Sequence, residues 1–473
     1  MHGFFVESPS MHRILSPALH RLWGNDWLFV ATCGHLWIPP KQLDPLAINR
    51  LYQDHRVLAR ESVFRAVYEA IEQCSCIWVA TDPDDEGEVI AHDLARTVFR
   101  STKNHTVFRL RLWGLDESSI REAFEHVDVI DEEQARLWPP ATPGHVRRIT
   151  DRWLAGGLGT PQNPVGRVLS AYLHAVSVQD ILPRSPFVWH QQPMHWGDVL
   201  TAHEFHQESL KELEQVAQTL YESGLMSYPR SDSRSRPKGM MHEKMKKMNV
   251  HNQGAYHLND FESQKNHAAH HAIVPTGSMA VLQTCYDRLQ RGDDLPLTER
   301  MIGVLARTYL GRPPSHALQQ KIQGQATPES SLKERWVVRT LLNHQLGRPS
   351  TYVGFAQKQA ERGLITAQGQ LSEEGNSWLK HQPDWLNRSF LKEVEQVWSQ
   401  SVQRNDRPWQ QVQQWVQQIP SEDQALLKAC LEGETVKELE GSMSSLHFQQ
   451  DAHQEPQDLT LEIAPDNDDI DLH

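Results

Sequence analysis

Ile77-Trp78-Val79-Ala80-Thr81-Asp82-Pro83-Asp84-Asp85-Glu86-Gly87-Glu88 is an apolar run that turns abruptly acidic. The first five residues read as a buried strand, and Val89 to Phe99 reads as the helix that follows. Asp82, Asp84 and Glu86 fall at alternate positions between them. Crowding carboxylates at a strand end is costly without a cation, and hard oxygen ligands with open positions suit Mg²⁺. The competing reading is a solvated acidic turn that caps the next helix, where acids favour the dipole. A second apolar run, Gly3-Phe4-Phe5-Val6, ends in Glu7 and tips the balance toward a metal site.

Other stretches extend the pattern. Leu28 to Thr32 is a further strand leading to Gly34-His35, Ser62 to Gln73 is helical, and Thr106 to Trp113 is one more strand. Such alternation predicts a mostly parallel sheet with function at the carboxyl ends of its strands. Farther on, Leu210, Leu213, Ala217, Leu220 and Tyr221 mark one helical face, and Gly224 is a stop signal. The loop Ser227-Tyr228-Pro229-Arg230-Ser231-Asp232-Ser233 follows. A tyrosine nucleophile needs a neighbour that favours its phenolate, and Arg230 both does that and neutralises a phosphate oxygen. Read alone, the same loop is equally a half-buried tyrosine beside a solvated arginine.

The net charge is −13 over 473 residues, which argues against nucleic acid only until its position is considered. Residues 421–473 carry −12 of it, so residues 1–420 stand near −1. Basic runs such as Arg147-Arg148-Arg152 and Lys244-Lys246-Lys247 are then free to form positive grooves. The five cysteines are scattered with no Cys-x-x-Cys pair, so a reducing cytoplasm is the expected compartment. No secretory signal or membrane span is expected. No Gly-x-x-x-x-Gly-Lys-Ser/Thr loop is present, so no ATP is expected. His267, His270 and His271 lack a carboxylate or cysteine partner nearby, which weighs against zinc there. Trp153 and Trp189 are named as bases' stacking partners, although most tryptophans are core residues.

Six ordered motifs between residues 6 and 352 resemble the type IA DNA topoisomerases. Val6-Glu7-Ser8-Pro9 and Ala80 to Glu88 are similar to the family's toprim domain. Arg148 to Leu154 resembles its Arg/Asp/Trp-bearing helix, and Val165-Gly166-Arg167-Val168 its Gly-Arg-Val motif. Leu220 to Ser233 resembles its nucleophile segment, and His270 to Thr276 with Gly347 to Tyr352 completes the set. The Tyr-Pro-Arg-Ser-Asp and His-His-Ala-Ile forms are closest to the topoisomerase III branch. The resemblance implies cleavage of single-stranded or underwound DNA by Tyr228 through a 5′-phosphotyrosyl link, then rejoining without ATP, so as to relax or decatenate DNA. Arg230 would stabilise the pentacovalent phosphate, Glu7 would serve as acid/base, and His270 would lie beside the scissile phosphate. Asp82, Asp84 and Glu86 would hold Mg²⁺, while Arg148, Arg167, Asp232 and Arg348 would contact DNA.

The implied fold is an α/β toprim domain over residues 1–130 and a mostly α-helical core over 131–190 and 280–420. A nucleophile domain with a reduced β arch would span 191–279, and 421–473 reads as an acidic, disordered tail. The enzyme is expected to be a monomer associated with the nucleoid or a plasmid, its tail first a solubility device and otherwise a partner-binding or DNA-mimicking segment. Two departures stand out. The family's lysine after Glu-Ser-Pro has no counterpart in register, with only His12 and Arg13 nearby, and its arginine before the motif glutamate is Asp85 here. The extra carboxylate is expected to raise the demand for metal. The trimmed gaps from Arg167 to Tyr228 and from His270 to Arg348 predict a small gate. With Asp85 and Met11 they keep open the alternative of a DNA-binding scaffold without strand passage. A toprim nuclease or primase that needs no tyrosine is the other alternative, against which the Tyr-Pro-Arg-Ser-Asp and His-His-Ala-Ile segments argue.

Overall fold

The computed structural model describes residues 1–38, 57–137, 142–159, 163–178, 185–235, 247, 271–403, 412, 414–421 and 424. Residues 1–431 cluster as one compact unit; the remaining 432–473, and with them most of the expected tail, lie outside the described residues. No described helix is long and apolar enough to cross a membrane.

A five-stranded sheet occupies the first part of the chain, in the order β2 (Trp27–Ala31), β1 (His2–Val6), β5 (Cys76–Ala80), β6 (Thr106–Arg109), β7 (Asp128–Ile130). A short antiparallel pair, β3 (Trp37–Ile38) and β4 (Val57–Leu58), falls between β2 and β5 in sequence and forms a separate two-stranded sheet. The first four strands of the large sheet are parallel, while β7 pairs antiparallel with β6 at the edge. The predicted parallel sheet is therefore present with one added reversal. The strand expected to reach Trp113 stops at Arg109, because the Arg109 side chain turns inward and the chain leaves the ladder.

Alternation along the strands builds two cores. Phe5, Ile77 and Val79 face α2 (Glu61–Gln73) and α3 (Asp85–Val98), burying Val67, Ile71, Leu94 and Val98. Phe4, Val6 and Ala80 face the other way, onto Leu15 and Leu19 of α1 (Pro9–Trp23) and Ile120 of α4 (Glu117–Glu125). Tyr221 and Tyr228, from far down the chain, complete this second core. The rest is helical: α5 (Glu132–Leu137), α6 (Thr142–Gly157), α7 (Arg167–Ser177), α8 (Trp196–Thr201), α9 (Leu210–Glu222), α10 (Met279–Arg291), α11 (Leu297–Tyr309), α12 (His316–Gln323), α13 (Glu329–His344), α14 (Pro349–Glu361), α15 (Glu373–Leu379) and α16 (Arg388–Gln403). The face expected on α9 is the buried one, residue for residue. Trp153 is fully buried against Trp415 and cannot stack on a base, whereas half-buried Trp189 stacks on His203 with ring centroids 4.8 Å apart. Among the described residues, the stretches expected to hold the β arch show helices and isolated bridges only.

One buried ion pair fixes the loop after β5. Arg109, wholly buried, donates to the carbonyls of Thr81 and Asp82 at 3.0 Å each and to Glu88 Oε1 at 2.9 Å. Arg111 donates to the same Glu88 oxygen at 2.7 Å. Burial alone would raise the Glu88 carboxyl, but the two guanidinium charges outweigh it and hold the group at about 2, below the usual 4.5. The pair's contribution is therefore present at neutral pH and is lost as pH falls from about 4.5 through about 2. Replacing Glu88 by Gln leaves a buried guanidinium short of its counter-charge and is expected to cost about 3–5 kcal/mol of unfolding free energy at pH 7, measured by urea denaturation.

Candidate active site

The register of the sheet makes the site. Val6 pairs with Ala80 across β1 and β5, so Glu7 and the Asp82 loop leave the sheet side by side. The Asp82 amide donates to Glu7 Oε2 at 3.4 Å. On the other flank Val6 pairs with Ala31, and the chain beyond β2 returns His35 to Glu86, Nε2 to Oε2 at 3.0 Å. Asp84 caps α3, accepting the Gly87 amide at 2.8 Å. Both readings of the acidic turn thus apply to one residue: it caps the helix and it faces the site. Gly87 has no room for a side chain, since a Cβ there would lie 1.9 Å from the Asp82 carbonyl oxygen.

Tyr228 reaches this strand end from the loop after α9. Gly224 takes a left-handed turn (φ 66°), which favours glycine. Ser227 exchanges two hydrogen bonds with Val274, while the Tyr228 amide donates to the Trp113 carbonyl at 2.8 Å. The Tyr228 ring lies edge-on to Tyr221, whose hydroxyl donates to the Leu112 carbonyl at 3.1 Å. So placed, the Tyr228 hydroxyl donates to Asp84 Oδ2 at 2.6 Å. Arg230 Nη1 stands 3.5 Å from Asp82 Oδ2. Ser231 accepts the Trp196 amide with its carbonyl and donates its hydroxyl to the His271 carbonyl at 2.6 Å.

The electrostatics divide the carboxylates into two sets. Glu88 is paired with arginines, and Asp85 with Arg147 of α6. The expectation that Asp85 raises the demand for metal is accordingly corrected: a positive charge reaches it from α6. Glu86 is lowered, burial being outweighed by His35 and the arginines of α6. Arg230 is the main positive charge set against Glu7 and Asp82, with Arg109 adding a smaller share at Asp82. Burial, then Asp82 and Asp84, push Glu7 up to about 8; burial, then Asp84, push Asp82 up to about 6. Burial and the same carboxylates hold the Tyr228 phenol well above its usual value, and Arg230 is raised by their company despite its burial. His12 stacks on Phe29 and Arg13 is exposed, so neither stands in for the missing lysine.

The other expected residues gather elsewhere or apart. Arg167 grips Asp151 through two bonds of 3.0 and 3.2 Å and lines a pocket with Arg388, Lys392 and Glu395, and Arg348 lies 3.5 Å from the same Glu395. Exposed Asp232 and half-buried Asp85 both lie within electrostatic reach of Arg348. Arg148 Nη2 donates to His145 Nδ1 at 3.2 Å. His270 lies outside the described residues, as do His267 and the Lys244 and Lys246 of the basic run. The sequence assigns no site role to Arg109, Arg111 or Glu395, marks Arg147 only as part of a basic run, and marks His35 only by its position after a strand.

Residues 199–293 match the family model described as DNA topoisomerase. DNA topoisomerase 1 of Aquifex aeolicus is 27% identical over 164 residues, 34% of this chain and only 28% of that protein's length. The full-length topoisomerase I of Thermotoga maritima shares the fold, with a TM-score of 0.61, 17% identity and coverage of 88% of this chain and 89% of that one. The resemblance to type IA DNA topoisomerases carried by the six motifs is borne out.

The raised carboxyls of Glu7 and Asp82 carry a stability signature. A carboxyl raised in the folded state penalises folding progressively from its ordinary value up to its folded one. For Glu7 that window runs from 4.5 to about 8. In EDTA at pH 9, Glu7→Gln is expected to raise the unfolding free energy by roughly 2 kcal/mol, and at pH 4 to change it little. Thermal melts at the two pH values check this, and equal effects at both would count against the assignment.

Proposed function

We propose that the chain is a type IA DNA topoisomerase acting on single-stranded or underwound DNA, with a toprim-type α/β unit supplying acid and metal ligands. The observation that carries this reading is the hydrogen bond from Tyr228 to Asp84, which joins positions 144 residues apart, beside Arg230, Asp82 and Glu7. A structural tyrosine has no need of three like charges around it.

The residues divide the chemistry. Tyr228 Oη attacks the phosphorus and gives its proton to Asp84, already within hydrogen-bond reach. Arg230 stabilises the charge that grows on the phosphoryl oxygens. The P–O3′ bond breaks, and Glu7, protonated at neutral pH because it is raised to about 8, passes its proton to the departing 3′-oxygen. The product is a 5′-phosphotyrosine and a free 3′-hydroxyl. In the reverse direction Glu7 takes that proton back and Tyr228 leaves, so the bond energy is kept and ATP is not required.

The donor set fits Mg²⁺: oxygen ligands only, with too little positive charge among them. Asp82 and Asp84 would hold it, with Glu86 joining if His35 releases it. Bound there, the ion supplies the charge that positions the 3′-end for resealing. Arg148, Arg167 and Arg348 would track the strand, with Arg388 and Lys392 extending the basic pocket. The short gaps on either side of the tyrosine segment support a small gate, with strand passage as its slow step. We assign the working unit as a monomer and leave the acidic tail as a protein-binding segment.

Covalent trapping on an end-labelled single-stranded oligonucleotide tests this. The wild type is expected to give a Mg²⁺-responsive adduct on the DNA 5′-phosphate, and Tyr228→Phe at least about a thousandfold less. Cleavage that survives Tyr228→Phe would identify a nuclease, and tight binding without adduct would identify a scaffold.

A further inference from the structure

His92 and Asp93 of α3 and His145 of α6 form a buried cluster on the helices behind the acidic loop. Each is no more than 8% exposed. They are the one such group of three His, Cys, Asp or Glu found among the described residues, with one ligand atom from each lying within 4.8 Å of the others. The facing nitrogens, His92 Nδ1 and His145 Nε2, stand 3.0 Å apart. Gly144 permits the approach of the helices, since a Cβ there would meet Val89 Cγ2 at 2.6 Å and the Asp85 carbonyl at 2.9 Å.

We propose that this cluster is a second metal site, which takes one divalent transition ion of the Zn²⁺ class through two imidazole nitrogens and one carboxylate. Bonds of about 2.0–2.1 Å from one ion to each nitrogen span a separation near that seen, after a slight opening toward tetrahedral geometry. Two histidines with one carboxylate select zinc or its neighbours over Mg²⁺, which prefers oxygen throughout. The site is therefore chemically distinct from the all-oxygen site at the strand ends, and its existence does not depend on the DNA chemistry proposed above.

The proton positions give the site a consequence. Arginine only donates, so His145 Nδ1 accepts from Arg148 and its proton resides on Nε2, aimed at His92 Nδ1. An ion bound to His145 Nε2 requires that proton to move to Nδ1, where it faces Arg148. The hydrogen bond between Arg148 and that nitrogen is then lost. Metal binding thus ties α3 to α6 and alters the contact between His145 and Arg148.

The test uses full-length protein carrying Asp82→Asn and Asp84→Asn, stripped with chelator, then titrated with Zn²⁺ in excess Mg²⁺. Calorimetry and elemental analysis are expected to give about one tightly held Zn²⁺ that disappears when His92→Gln and His145→Gln are added. Co²⁺ in its place is expected to give visible d–d absorption that is lost with it. Should that combination fail to fold by circular dichroism, Asp93→Asn or His145→Gln alone carries the test, with an expected weakening of at least tenfold. Zn²⁺ uptake that is absent in the parent, or unchanged in folded cluster variants, overturns the proposal.

Discussion

The site depends on the pairing of Arg109 with Glu88 beneath the end of β5. A loop of alternating acids has no reason to hold one conformation, because its side chains repel and its carbonyls have no strand to join. Arg109 supplies what is missing: its guanidinium binds the Thr81 and Asp82 carbonyls from below while Glu88 neutralises it. Glu88 comes from the first turn of α3, so the same contact fixes the helix to the sheet. Gly87 lets the turn close against Asp82 without a clash. With backbone and helix start locked, the carboxylates of Asp82 and Asp84 have one direction to face.

That rigidity concentrates unfavourable charge. Arg147, His35 and the Arg109/Arg111 pair each satisfy one acid of the loop, and Glu7, Asp82 and Asp84 are left to face Arg230 and Tyr228. The tyrosine is 2% exposed, packed on Tyr221, with its hydroxyl committed to Asp84. In this state the phenol is harder to ionise than in water, so proton loss must await added positive charge or a phosphate that redistributes it. Stored repulsion of this kind is a cost to the fold and a source of binding energy for a cation.

Much of this was legible in the residues. Strand ends and acids are local features, so β1, β5 and their carboxylates follow from apolar runs meeting Glu7 and Asp82. The α9 face follows from its spacing alone. The meeting of Tyr228 with Asp84 is a tertiary fact, and the family resemblance, not periodicity, pointed to it. The role of Glu88 was hidden because it shares an acidic motif with residues that face the other way; helix geometry, with successive residues about 100° apart, is what separates them. Asp85 read as surplus charge because its partner, Arg147, lies 62 residues away. Trp153 read as a stacking residue because exposure cannot be told from residue type.

The most direct measurement of the account is anomalous scattering from Mn²⁺ in crystals of the protein grown with a short single-stranded oligonucleotide. The account predicts an ion held by Asp82 and Asp84 beside Glu7, with a DNA phosphate between it and the Tyr228 hydroxyl and Arg230 on that phosphate. An ion seated away from those three carboxylates, or a DNA strand bound with Tyr228 still closed on Asp84 and no phosphate near it, would contradict it.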